Sequence, residues 1–175
     1  MTGDNLVLVA GTYPNADDAA ADFKTMKSAE DAGEYKVVAA VVMSSDEQGN
    51  VSVDEHGTGE VGGGTAIGAA GGLVVGLFAP PLLAATAIGA GIGAGIGALT
   101  KRHNEKQMGV DLEQYMPPGT SAVVAVVDDK YADNVEKALV KADKKVNKAI
   151  DSGDVDKLDK ALKDSGYDID DAINS

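Results

Sequence analysis

Cysteine and tryptophan are both missing from this sequence of 175 residues, and aromatic residues make up only 4% of it. The lack of cysteine excludes disulfides, thiolate metal sites and cysteine nucleophiles. The scarcity of aromatic side chains argues against surfaces on which bases stack. Lysine and arginine number 15 against 28 aspartates and glutamates, a net charge of −13. This charge argues against attraction to an anionic lipid surface by bulk charge, and we predict that the chain does not bind nucleic acid.

No secretory leader is predicted, since residues 1–13 have neither a basic region nor a long apolar run. Residues 61–99, by contrast, contain no ionisable side chain at all. Lys101, Arg102 and Lys106 follow this segment directly. The predicted location is therefore the cytoplasm, or the inner membrane with the folded head on the cytoplasmic side.

Four strands are predicted from the apolar pattern. The runs at 6–10, 35–43 and 120–128 are typical of buried strands, and residues 51–55 alternate apolar with polar side chains. Helices are predicted over 16–32, with Asn15 or Asp17 as the N-cap and Gly33 as the stop, and over about 131–151. Gly153 would break this second helix, and Asp154 would cap a further short one.

This order of elements predicts an α+β fold, a ferredoxin-like (split βαβ) sandwich interrupted by a glycine-zipper helical hairpin, with extra C-terminal helices. The fold's closing strand is not visible, and charged helices stand in its place. The predicted division is 1–60 for the first half of the head, 61–100 for the hairpin, 101–151 for the second half and 152–175 for the C-terminal extension.

Glycine recurs every four residues in both halves of the uncharged segment. The rows are Gly64, Gly68, Gly72 and Gly76, then Gly89, Gly93 and Gly97, with a second row at Gly91 and Gly95. Residues four apart share a helix face, so each row lets a second backbone approach closely. Pro80 and Pro81 separate the halves, which predicts a helical hairpin.

The glycines make an isolated hairpin unstable in water. Each glycine costs a helix about 0.5–1 kcal/mol relative to alanine, so a dozen of them cost roughly 6–12 kcal/mol. Only close packing or a nonaqueous surrounding offsets that cost. Two surroundings are open at this point: other subunits, or a lipid bilayer that residues 61–99 enter.

The uncharged segment, together with PPGTSAVVAVVDD at 117–129, resembles a bacterial family described as predicted membrane proteins of unknown function. It is also similar to glycine-zipper general stress proteins. The likeness covers about residues 6–140 and implies a membrane annotation and a stress-linked role. The family has no established catalytic residues to carry over. This chain departs from its pattern from 141 onward, where lysine- and aspartate-rich helices are predicted instead of a strand.

Motifs for chemistry are weak in this sequence. GTGEVG at 57–62 fits a dinucleotide fingerprint, but the acidic residue expected about 20 positions later is absent. His56 and His103 flank the hairpin and are the weak candidates for a metal site. Asp151, Asp154, Asp156 and Asp159 lack the glycine and terminal glutamate of a calcium loop. Ser44, Ser45 and Ser121 have no histidine or paired acid at motif spacing, so we predict no catalytic residue and no cofactor.

The sequence thus favours a non-enzymatic structural protein whose glycine-zipper hairpins self-associate into a homo-oligomer, in or against a membrane, with a link to stress. The alternative is a sensor that binds a small ligand or metal with the α+β head and the neck of the hairpin. The stripe of Val155, Leu158 and Leu162 is expected to pack on the core of the protein itself, with a protein partner for this C-terminal helix as the other interpretation.

Overall fold

A computed structural model of the whole chain describes residues 5–48, 51–57, 73–74, 76–78 and 116–164, with the backbone alone for 51–57. Its elements are β1 (Leu6–Tyr13), α1 (Ala16–Asp31), β2 (Val37–Ser45), β3 (Val51–Gly57), β4 (Ser121–Asp128), α2 (Asp129–Ala138), β5 (Lys144–Ala149) and α3 (Ser152–Asp164). The predicted α+β class and the four predicted strands are confirmed.

The strands form one antiparallel sheet in the order β3-β2-β4-β1-β5. Strand β4, which follows the uncharged segment, lies between β2 and β1, which precede it. The two sequence halves of the head therefore build a single sheet. The predicted hairpin boundaries, residues 61 and 100, lie outside the described residues.

Helix α1 begins and ends where its sequence signals predict. The Asn15 side chain accepts a hydrogen bond from the Asp18 backbone N–H at 2.8 Å, which satisfies one of the unpaired donors of the first turn. Gly33 stops the helix with a φ of +80°, a left-handed conformation that glycine adopts without a steric penalty. Of the two predicted N-cap candidates, Asn15 and Asp17, the structure has Asn15 in this role.

The prediction of one helix over 131–151 is wrong. Helix α2 ends at Ala138, and residues 144–149 form β5, which pairs with β1 from Val7↔Ala149 to Thr12↔Lys144. The backbone of β1 needs hydrogen-bond partners on both sides, and this ladder outweighs the helix propensity of a lysine-rich sequence. A stretch predicted as helix therefore supplies the fifth strand of the sheet.

The start of α3 also differs from the prediction. Its first residue is Ser152, and the Asp151 side chain accepts a hydrogen bond from the Asp154 backbone N–H at 3.0 Å. Asp151 is therefore the residue that caps the first turn, and Gly153 lies inside α3 instead of breaking the preceding helix.

Strands β1, β2 and β4 are buried on both faces, which explains why they have continuous apolar runs. The front face carries Val7, Val9, Val123 and Ala125 among others, and it is covered by α1 and α2. The back face carries residues such as Leu6, Leu8, Val124 and Val126, and it is packed against Leu158 and Leu162 of α3.

Candidate functional site

The back face of the sheet is where the uncharged segment meets the head. Residues 73, 74 and 76–78 are helical, and we call them the docked segment. Val74 is fully buried in the back-face cluster, while Leu73, Leu77 and Phe78 are partly buried against it. Burying a valine or leucine side chain contributes about 1.5–3 kcal/mol, so this contact is a substantial attachment. Part of the uncharged segment is thus held by the protein's own sheet.

Only one of the predicted helix-packing glycines belongs to the described residues. Gly76 is buried within the docked segment, between Val74 and the partly buried Leu77. The remaining predicted positions lie outside the described residues: Gly64, Gly68, Gly72, Gly89, Gly91, Gly93, Gly95 and Gly97.

Helix α3 completes the cover of the back face. Leu158 and Leu162 are fully buried in the same cluster as Val74, and Val155 packs against it. The expectation that this stripe packs on the protein's own core is confirmed. A protein partner for the helix would therefore have to contact its charged outer side.

The front face contains a buried polar network. The Tyr13 hydroxyl donates to Asp22 Oδ2 at 3.1 Å, and the Lys141 backbone N–H donates to the same oxygen at 2.7 Å. Tyr13 and Asp22 are both buried. Lys141 Nζ also contacts Asp18 Oδ1 at 2.9 Å on the surface. The network joins β1, α1 and the α2–β5 connection, because one carboxylate of α1 accepts bonds from the other two elements.

A second buried carboxylate, Glu30, lies near the end of α1. Its Oε1 accepts a hydrogen bond from the Val37 backbone N–H at 3.0 Å, and its Oε2 pairs with Lys27. The Tyr35 hydroxyl donates to the Met26 carbonyl at 2.9 Å. These bonds attach the start of β2 to α1, and each buried polar atom named here has a partner.

Burial makes both tyrosines resist ionisation. Burial, followed by the charge of Asp22, raises the pKa of Tyr13 well above its ordinary value. Burial, followed by the charges of Glu30 and Glu34, raises the pKa of Tyr35 to about 12. Both hydroxyls therefore act as hydrogen-bond donors that stay protonated near neutral pH, which suits them to holding elements together.

These shifts predict a loss of stability in alkali. A raised folded-state pKa means that the stabilisation is complete below pH 10, the unfolded value. For Tyr35 it is then lost as the pH rises from 10 to about 12. Each tyrosine adds up to about 1.4 kcal/mol per pH unit to the fall in the free energy of unfolding. Urea titrations across this range should show a shallower fall for Tyr13→Phe and for Tyr35→Phe, and slopes equal to that of the unsubstituted chain would contradict the assignment.

No metal site is found among the residues that the structure describes, where no group of three His, Cys, Asp or Glu side chains is arranged for one. His56 lies in β3 opposite Val41, and His103 lies outside the described residues. Two of the C-terminal aspartates pair with lysine, Asp154 with Lys157 and Asp159 with Lys163. They therefore act as an ordinary solvated helix face.

The serines considered as nucleophiles lie at one end of the sheet. Ser121 Oγ donates to Ser44 Oγ at 3.1 Å, across the β2–β4 pair. Ser45 is buried, and its hydroxyl has no hydrogen-bond partner in the described part of the chain. Of the dinucleotide-like motif only Gly57 is described, as the last residue of β3.

Residues 61–99 were also predicted as a lipid contact. Within the ranges that the structure describes, no helix combines the length and apolar character needed to cross a bilayer. Most of the predicted hairpin lies outside those ranges.

Sequence reasoning missed both the Tyr13–Asp22 network and the attachment of the docked segment. Asp22 lies on the inner side of α1 with Ala19, Phe23 and Met26, which are also buried. An acidic residue among apolar ones at helical spacing was therefore the available signal for a buried acceptor. For the docked segment, the signal was the cluster of large residues at 73–78 within a segment otherwise rich in glycine and alanine.

Comparison with known proteins identifies one family. The family described as "Protein of unknown function (DUF1269)" matches residues 65–163, from the uncharged segment through β4, α2 and β5 to the end of α3. No curated protein and no solved structure matches the chain.

Proposed function

Since the chain belongs to the DUF1269 family, whose function is unknown, its role has to be inferred from its own residues, and we propose that it is a non-enzymatic assembly protein. Glycine-zipper hairpins formed by residues 61–100 associate with those of other copies, in or against a membrane, and produce a homo-oligomer. The head lies on the cytoplasmic side, and the role is linked to stress, as the resemblance to glycine-zipper stress proteins implies.

The observation that carries this proposal is the pattern of the uncharged segment. Glycine returns every four residues in 61–99, without one charged side chain to face water. Rows of this kind allow backbones to approach closely, and such contact offsets the helix cost of glycine. A water-exposed linker would need neither the four-residue period nor the absence of charge.

The docked segment supports the same role from the head. Val74 and its neighbours attach one part of the uncharged stretch to the back face. This attachment limits how freely the stretch moves relative to the sheet, and it lowers the entropy that is lost when copies assemble. The head is then a rigid base from which the glycine rows are presented.

The topology supports a ferredoxin-like sandwich for this head. Strands β1 and β2 flank β4 with α1 between them in sequence, and β4 and β5 flank β1 with α2 between them. Both helices cover the front face. We infer two interleaved βαβ units, with β3 as an extra edge strand and α3 as the added C-terminal helix.

The test is to fill the glycine rows with side chains. Gly93→Leu/Gly97→Leu should abolish assembly and leave the head folded, because a leucine on the row prevents close approach of a second helix. Gly93→Ala/Gly97→Ala is the matched control, and it should assemble because alanine is small and favours the helix by up to about 1 kcal/mol per site. Mass is measured by light scattering after size exclusion, with and without detergent.

The measured masses distinguish assembly through the glycine rows from other results. The role of the glycine rows is overturned if the leucine and alanine variants both form the oligomer. It is also overturned if the unsubstituted chain is a monomer. An oligomer that the leucine variant loses would support it. An oligomer that forms without detergent indicates that the hairpin is enclosed by other subunits. An oligomer that forms only in detergent indicates that the hairpin is enclosed by lipid.

A further inference from the structure

The outer edge of the sheet at β5 is exposed and basic. All six residues of β5 are exposed. Residues 137–148 contain five lysines and one aspartate, a local net charge of +4 in a chain whose total is −13. Salt screens charges that are more than about 8–10 Å apart at physiological ionic strength. A segment bound at this edge therefore interacts mainly with the local positive charge and little with the negative charge elsewhere on the protein.

Three of these lysines, Lys137 at the end of α2 and Lys144 and Lys148 in β5, have no partner in the part of the chain that the structure describes. Lys141 pairs with Asp18, and Lys145 Nζ donates to the Glu136 carbonyl at 2.9 Å. Lys144 and Lys148, by contrast, form neither an ion pair nor a hydrogen bond with the described residues. They lie opposite Thr12 and Leu8 of β1, and therefore on the back-face side of the strand.

An exposed valine lies between the two lysines. Val146 is opposite Ala10, which places it in the same row as Lys144 and Lys148. It is 43% exposed, and Val140 just before the strand is 73% exposed. Lysines alone are enough to keep an edge strand from aggregating. An exposed valine is not needed for that purpose. With a lysine on each side, Val146 offers an apolar contact between two positive charges.

The outer side of the β5 backbone pairs with no other strand among the residues that the structure describes. Ile150 N–H donates to the Leu6 carbonyl at 3.1 Å, which sets the alternation of the ladder with β1. In an antiparallel ladder every second residue bonds inward, so the backbone groups of Lys145, Asn147 and Ala149 point away from β1. These groups can accept another strand.

We propose that the β5 edge binds an extended acidic segment of another protein by strand addition. The segment pairs with the outward backbone groups of Lys145, Asn147 and Ala149. It places carboxylates opposite Lys144 and Lys148 and an apolar side chain beside Val146. The recognised pattern is thus acidic, any, apolar, any, acidic along one strand.

A peptide fits this edge better than an anionic bilayer does. A bilayer faces a large part of the protein, and the total charge of −13 opposes that approach. A bilayer also has no backbone to pair with the outward groups of β5. A narrow acidic strand contacts only the basic edge and satisfies those groups.

The test measures binding of a fluorescein-labelled peptide to the full chain. The peptide has about nine residues, which is within the usual length of a strand. Its central residues are Glu, Thr, Val, Thr and Glu, in that order. Saturable binding is expected by anisotropy. Lys144→Glu/Lys148→Glu should weaken it roughly tenfold, and Lys144→Gln/Lys148→Gln by less. The control is Lys157→Glu/Lys160→Glu, which changes the total charge equally on the exposed side of α3 and should leave binding unchanged.

Two altered peptides separate strand addition from charge alone. Replacing each Glu by Gln should abolish most of the binding, and N-methylating alternate residues should do the same, because it removes backbone donors without changing charge. The proposal is overturned by equal binding of the N-methylated peptide, by equal weakening in the α3 control, or by no saturable binding. It is also overturned if phosphatidylglycerol vesicles bind through Lys144 and Lys148 and the peptide does not.

This inference does not rest on the glycine rows. Peptide binding should survive Gly93→Leu/Gly97→Leu, so failure of the edge and failure of the proposed assembly are separate results.

Discussion

Val74→Asp is expected to destabilise the head by about 3–5 kcal/mol, the effect of an unpaired charge in a buried site. Val74 is fully buried among back-face residues such as Leu8, Val124 and Leu158. A carboxylate there either loses its hydration or forces the docked segment off the sheet. Urea unfolding followed by circular dichroism measures the shift of the midpoint.

Two controls make this result specific. Val140→Asp places the same side chain at a position that is 73% exposed, and it should change stability by less than about 0.5 kcal/mol. Val74→Ala keeps the site apolar and should cost about 1–3 kcal/mol, so a value remains measurable if the aspartate variant does not fold. Equal midpoints for Val74→Asp and Val140→Asp would show that the docked segment does not pack on the sheet.

Asp22→Ala is expected to cost about 2–4 kcal/mol, because it leaves one buried and one partly buried donor without an acceptor. These donors are the Tyr13 hydroxyl and the Lys141 backbone N–H, at 3.1 and 2.7 Å from the same oxygen. Asp22→Asn keeps a carbonyl oxygen and should cost clearly less. The free energy of unfolding at neutral pH is the measurement.

A double-mutant cycle with Tyr13→Phe tests the cause. Removing the hydroxyl together with the carboxylate removes one donor and its acceptor at once, so the two changes should be non-additive by about 1 kcal/mol. Asp18→Ala removes the exposed partner of Lys141 and should have a much smaller effect. Additive costs for Tyr13 and Asp22 would mean that their hydrogen bond contributes nothing.

Helix α1 and strands β1, β2 and β4 were predictable because their signals are local. Asn15 and Gly33 bound α1 through capping and a left-handed turn, which involve only neighbouring residues. The apolar runs of β1, β2 and β4 are nearly continuous, and a strand buried on both faces requires that composition. These elements therefore follow from residues close together in the chain.

Strand β5 was not predictable in this way. Its sequence KKVNKA is lysine-rich and exposed along its whole length, and its valine lies at helical spacing from Leu139 and Ile150. Nothing local favours a strand there. The pairing partner is β1, more than 130 residues earlier in the chain, between Val7↔Ala149 and Thr12↔Lys144.

Composition and short-range spacing were thus enough to set the α+β class, four strands, the first helix and the uncharged glycine-rich segment. Long-range packing was needed to establish that β1 requires β5 as a partner, that Asp22 bridges α1 to the α2–β5 connection, and that Val74 packs on the back face. The reason is the same in all three cases. A backbone edge, a buried carboxylate and an apolar face each need a partner, and that partner lies far away along the chain.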